Sequence, residues 1–139
     1  MRPEQIVAVL HNLSGKTSRL GTALVYDLVF TDRRTVGIVY GGAPAAAGWP
    51  PNPSTYPQAT PSMAWAPGYD VRALDAIVAG NPANFSLPYE RIDHAKIGGV
   101  MKKSLSMKAG SDTYIFEVPK ERLDELKTVV ARRIPGADV

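Results

Sequence analysis

The sequence predicts a mainly β domain, α+β in class, closed at one end by a single helix. Three observations carry that expectation. Leu24, Tyr26, Leu28 and Phe30 alternate with Val25, Asp27 and Val29, the period of a strand with one buried face. A second alternating pair brackets the turn residues around Gly110, with Leu105 and Met107 before it and Tyr114, Phe116 and Val118 after it. Last, Leu123, Leu126, Val130 and Ile134 form the clearest helical stripe in the chain.

The elements follow in order. Residues 4–13 fit two periods: Ile6, Leu10 and Leu13 suit a helix face, while Ile6, Ala8 and Leu10 suit a strand. Residues 14–19 read as a polar loop. Residues 20–30 and 35–40 make a hairpin across the turn Thr31-Asp32-Arg33-Arg34. Residues 41–68 form a Pro/Ala/Gly-rich insert. A short helix over 70–79 places Val71, Leu74, Ile77 and Val78 on one stripe, with Asp70 as its cap and Gly80-Asn81-Pro82 as its stop. Residues 86–97 read as one strand. Pro88 has no N–H for a ladder and therefore implies a strand start or an edge. After the break at Gly98-Gly99, residues 104–108 and 113–118 form the second hairpin. Pro119 opens the terminal helix, Arg132 and Arg133 suit its last turn, and Pro135-Gly136 ends it. A lone amphipathic helix placed last is suited to cover the open end of an antiparallel sheet.

Composition bounds the function. At 139 residues the chain is the size of one domain, 1–139. Sixteen basic against thirteen acidic residues give +3, too mild a charge for a dedicated nucleic-acid binder. The absence of cysteine excludes disulfides, thiol nucleophiles and cysteine-held metals, and two histidines cannot form a three-histidine metal site. No cofactor and no metal is expected. Residues 35–69 carry no charged side chain and no histidine, a length that invites a membrane span. Seven prolines between Gly41 and Gly68 argue against one, because a helix so interrupted leaves backbone groups unpaired in lipid. Residues 1–13 lack the long apolar stretch of a signal peptide. The expected location is cytoplasmic, with peripheral membrane attachment as the variant.

The insert is the most individual segment. Its composition favours extended or irregular chain, yet it holds Trp49, Tyr56 and Trp65. Trp49-Pro50-Pro51-Asn52-Pro53 places an aromatic beside a P-x-x-P spacing, and such preformed segments dock with little entropy left to lose. These aromatics are the candidate partner-binding residues. Their alternatives are packing on the domain itself or a poorly ordered loop.

The catalytic signals are thin. Gly15-Lys16-Thr17 matches the end of a P-loop, but the position that needs the first glycine is Leu10, and the following segment reads as strand rather than helix. His11, Lys16 and Arg19 sit around the expected first loop, where Lys16 and Arg19 are candidates for an anionic headgroup. Lys102-Lys103, with Lys96 and Lys108 nearby, is the densest basic stretch. In a loop the pair can face one ligand, whereas in a strand the two point to opposite faces and guard an edge. Asp32 is expected to shape its turn, with Arg33 and Arg34 solvated. His94 follows Asp93 directly, so in a strand they point apart and form no oriented pair. No catalytic residue is assigned.

Three phrases in this order resemble the prokaryotic members of the pleckstrin-homology-like superfamily and the related GRAM domains. They are Val29-Phe30-Thr31-Asp32-Arg33-Arg34-Thr35-Val36, Phe85-Ser86-Leu87-Pro88-Tyr89-Glu90-Arg91-Ile92, and Tyr114-Ile115-Phe116-Glu117-Val118-Pro119. The resemblance spans residues 4–40 and 69–134 and leaves out the insert. It implies a bent, seven-stranded β-sandwich or partly open barrel capped by a C-terminal helix, in a superfamily that is mostly non-catalytic and binds lipid headgroups, peptides or proteins. The expected function is a non-catalytic binding or adaptor module. A protein partner or homo-oligomer would be reached through the insert or a sheet edge. The alternative is peripheral binding to anionic lipid headgroups through Lys16, Arg19, Lys102 and Lys103, and an unrecognised enzyme stands third.

Overall fold

In the computed structural model the described residues are 3–18, 21, 23–39 and 70–139. The insert over 41–68, with Trp49, Tyr56 and Trp65, lies outside them, as does Arg19. Seven strands are described: β1 (Ile6–Thr17), β2 (Ala23–Thr31), β3 (Arg34–Val39), β4 (Phe85–Pro88), β5 (His94–Gly98), β6 (Ser104–Ala109) and β7 (Asp112–Glu117). Two helices accompany them, α1 (Leu74–Ala79) and α2 (Leu123–Arg133). The strands form one sheet in the order β4-β3-β2-β1-β7-β6-β5, and every pairing between them is antiparallel.

The sheet curls because its inner face is aromatic and buries itself largely against its own distant strands. Tyr26 on β2 meets Phe116 on β7 edge-on at 5.4 Å. Phe85 on β4 stacks on Tyr114 of β7 at 4.6 Å, although four pairings separate those strands in the sheet. Two glycines make room for this cluster. A Cβ on Gly37 would lie 2.0 Å from the Phe85 ring, and one on Gly15 would lie 2.4 Å from Phe116. Leu126 and Val130 of α2, with Ile134 just after it, enter the same core, so the terminal helix covers the open end as its stripe implied. On the opposite face of β2 and β3, Val29, Val36 and Ile38 are covered by Leu74, with Val71, Ile77 and Val78 packed beside it. This is the predicted stripe, preceded by a 3-10 turn over Val71–Ala73 that Asp70 caps by accepting the Arg72 N–H. That hydrogen bond, with the Arg72 side chain, holds the Asp70 carboxyl below its usual range.

Two segments differ from the sequence reading. Residues 14–17 belong to β1 rather than to a loop. Leu13, Gly15 and Thr17 are buried while Ser14, Lys16 and Ser18 are exposed, a strand alternation masked by small and polar side chains. Residues 86–97 are two strands, not one. Pro88 lies on an edge strand, as one of its two readings expected, but it ends β4 instead of starting a strand, and a 3-10 turn over Tyr89–Arg91 carries the chain from one half of the sheet to the other. Tyr89 fixes that crossing: its N–H donates to Arg33 O (3.1 Å) and its hydroxyl to Thr31 O (2.6 Å).

Both outer strands of the sheet are blunted. β4 has four residues and ends in proline. Along β5, Ile97 N–H donates to Asp138 O and Asp138 N–H to Ala95 O, each at 2.9 Å, so the segment after α2 lies against that edge.

Candidate binding surface beside the β5–β6 loop

Residues 99–103 join β5 to β6. Gly99 has φ +135°, and a Cβ there would lie 2.0 Å from Lys102 O, so the turn requires glycine. The base of the loop is tied twice: Lys103 Nζ donates to Gly99 O (2.8 Å), and Val118 N–H donates to Lys103 O (2.9 Å). The turn throws Val100 and Met101 outward at 100% and 95% exposure, against at most 44% for any other exposed large apolar side chain among the described residues. Single exposed apolar residues are ordinary, but an adjacent pair on a fixed turn is a built feature.

A groove of about 600 Å³ opens beside this tip, between the loop and the start of α2. Met101, Val118 and Leu123 give it an apolar wall, and Lys102, Lys103 and Lys120 give it positive charge. One carboxylate, Glu117, joins them, with its Oε1 3.9 Å from Lys102 Nζ. At that length, with both groups exposed, the pair is weak and leaves Lys102 available.

The sequence candidates are therefore divided. Lys102 and Lys103 share this groove, because they lie in a loop and not in a strand. Lys16 is exposed on β1, on the same face as Ser14, which lines the groove, but Lys16 itself does not line it. His94 is exposed on β5, while the neighbouring Asp93 carboxylate accepts the Gly110 N–H at 2.7 Å and so serves the β6–β7 turn.

Sequence reasoning missed three things. The first is the apolar tip and the role of Lys120, which no periodicity marks. The second is a buried pair, His11 and Asp27. Residues 11 and 12 bulge out of the β1–β2 ladder between Leu10↔Leu28 and Leu13↔Tyr26, opposite Asp27. His11 Nδ1 lies 3.1 Å from Asp27 Oδ2, with both residues buried. His11 is thus a strand residue and not a loop candidate for phosphate. The third is Arg34, expected to be solvated. Its guanidinium is half-buried and forks onto Glu4 (Nε–Oε2 2.9 Å, Nη2–Oε1 3.2 Å), reaching Asp75 Oδ1 (2.6 Å) and Ser86 Oγ (3.0 Å). Burial opposes its charge, but the hydrogen bonds and charges of Glu4 and Asp75 prevail and raise its pKa. Asp32, in turn, ties the chain start: its Oδ1 accepts Gln5 N–H at 3.1 Å and its own N–H donates to Gln5 O at 2.9 Å.

Among the described residues no three His, Asp or Glu side chains come together as a metal site, and no helix is long and apolar enough to cross a membrane. Comparison with protein families, with characterised proteins and with solved structures returns no match to this chain.

Proposed function

We propose that this protein is a non-catalytic binding module of the pleckstrin-homology-like kind, and that it docks peripherally on anionic membrane surfaces through the β5–β6 loop. Seven antiparallel strands followed by a capping helix support the first part. The observation that carries the second is the Val100–Met101 tip flanked by Lys102 and Lys103. A convex apolar tip needs no shape-matched pocket in a bilayer, and lysines beside it keep their charge at the headgroup level.

The magnitudes describe a weak, reversible contact. Full transfer of a valine or methionine side chain from water is worth about 1.5–3 kcal/mol. A loop tip reaches only the headgroup–acyl boundary, so the low end applies, about 3 kcal/mol for the pair. Each lysine near an anionic surface adds roughly 1 kcal/mol, screened over about 10 Å at 0.1 M salt.

Sedimentation with vesicles of phosphatidylglycerol and phosphatidylcholine tests the reading. Binding should rise with the anionic fraction and fall with salt. Val100→Ser with Met101→Ser should weaken it about a hundredfold at constant salt. Equal binding by the double variant, or no binding to anionic vesicles at low salt, refutes membrane docking. Self-association is the rival use of a non-catalytic module. It predicts a concentration-dependent mass by light scattering that disappears when residues 44–66 are deleted.

A further inference from the structure

We propose that the groove beside the tip is a ligand site in its own right, and that it takes the phosphate-bearing head of a single anionic amphiphile. This rests on the membrane-docking reading and names the ligand that the same surface selects. Three observations carry it.

Met101 belongs to both features: it is half of the exposed tip and part of the groove wall. When the tip enters the headgroup layer, the groove opens at the depth where lipid phosphates lie. The groove is also amphipathic in the required sense. Lys102, Lys103 and Lys120 line it against the single carboxylate of Glu117, a local excess of two positive charges. Lys103 Nζ uses one donor on Gly99 O, and an ammonium has three. Lysines act on phosphate as point charges with several donors and need no fixed fork geometry. Finally, Val118 and Leu123 line the same groove beside the lysines and give it apolar surface, and about 600 Å³ is room for a headgroup with the first part of its chains. A free phosphate would satisfy the cations and leave that wall bare.

The test uses the full chain and a phosphatidylglycerol with six-carbon chains, kept below its micelle concentration so that no bilayer is present. Amide shifts in an NMR titration give both site and affinity. Inorganic phosphate, the matching phosphatidylcholine and a short polyglutamate peptide are the comparison ligands. The inference expects saturable shifts at residues 101–103 and 118–123, at least about tenfold tighter for the anionic lipid than for each of the other three. Lys120→Gln, an exposed change, should weaken that lipid about fivefold.

Phosphate binding as tightly as the lipid overturns the amphiphile in favour of a simple anion site. Tighter binding of polyglutamate overturns it in favour of an acidic protein partner. No saturable shift with the lipid overturns the groove site altogether. In that last case vesicle binding that still depends on Val100 and Met101 leaves membrane docking standing, whereas loss of both shows that the docking reading itself has failed.

Discussion

Replacing Gly99 by alanine tests whether the binding tip is held or merely exposed. The backbone there has φ +135°, a region that costs a residue with a side chain on the order of 1–3 kcal/mol. The added Cβ would also lie 2.0 Å from Lys102 O and 3.1 Å from Lys102 C. Both are backbone atoms, so no rotamer change relieves the overlap and the turn must open. Opening it strains the two ties at its base, Lys103 Nζ to Gly99 O and Val118 N–H to Lys103 O. The aromatic core and α2 do not depend on this turn, so the domain should stay folded. We expect a loss of about 2 kcal/mol, which in a domain of this size lowers Tm by roughly 6–10 °C. Calorimetry reads that, and vesicle sedimentation of the same sample should fall toward the level of the Val100→Ser, Met101→Ser variant. An unchanged Tm refutes the steric argument. A lowered Tm with undiminished vesicle binding refutes the claim that the fixed turn matters for docking.

Gly37→Ala should cost more, because its Cβ would lie within the Phe85 ring contact at the centre of the aromatic cluster. We expect a loss of about 2–3 kcal/mol in urea unfolding, and an unchanged midpoint would show that the cluster packs loosely. Burial raises both Tyr26 and Tyr89 to about 12 from 10.0. The folded state keeps these protons after the unfolded chain has lost its own, so their contribution is full below pH 10 and is lost as pH rises toward 12. Each tyrosine accounts for about 2–3 kcal/mol over that window, so the urea midpoint should drop steeply between pH 10 and 11.5 and less so in Tyr26→Phe; a flat profile would show that the hydroxyls are not held neutral. Arg34→Met leaves the half-buried Glu4 without its fork and should cost about 2 kcal/mol by urea unfolding, whereas Asp75→Ala, at an 86% exposed partner, should change stability by less than about 0.5 kcal/mol. Equal effects of the two would mean that the fork onto Glu4 is not what stabilises the site.

Much of the fold was legible because burial writes a period into the chain. Tyr114 to Val118 and the Leu123–Ile134 stripe each bury one face, Leu24 to Phe30 buries its alternating set in the main core and Val29 on the other face under Leu74, and each lies where the pattern put it. Boundaries failed where local chemistry mimicked something else. Ser14-Gly15-Lys16-Thr17 has the composition of a loop, yet Gly15 is small because the Phe116 ring occupies its side-chain space, a contact about a hundred residues away in sequence. Pro88 was legible as a strand limit, but which side of it carried the strand depended on the long-range anchor from Tyr89 to Thr31. Of the candidate site, Lys102 and Lys103 were visible as a charge cluster. Val100 and Met101 were not, because two apolar residues after two glycines have no period to read. Lys120 reaches the groove only through the turn from β7 into α2. Polar residues inside the fold were equally hidden: neither His11 nor Asp27 carries a local mark of burial, and their approach depends on a bulge that only the strand register creates.

The way the sheet treats its own edges bears on how its apolar tip should be understood. An unpaired strand edge invites association with other chains, and this domain guards both of its edges. β4 is cut short by Pro88, and the backbone of β5 pairs with Asp138. A fold that covers its pairing groups leaves little backbone with which to recruit a partner by strand addition. The same chain leaves Val100 and Met101 in water on a turn so tight that it requires glycine, and backs them with three lysines. A flexible loop would let such side chains fold back onto the apolar wall of Val118 and Leu123, recovering some of the free energy that their exposure forgoes. The constrained turn prevents that collapse. On the proposed reading, the cost of exposure is recovered when an external apolar phase takes the tip, and the lysines favour a phase that carries negative charge at its surface.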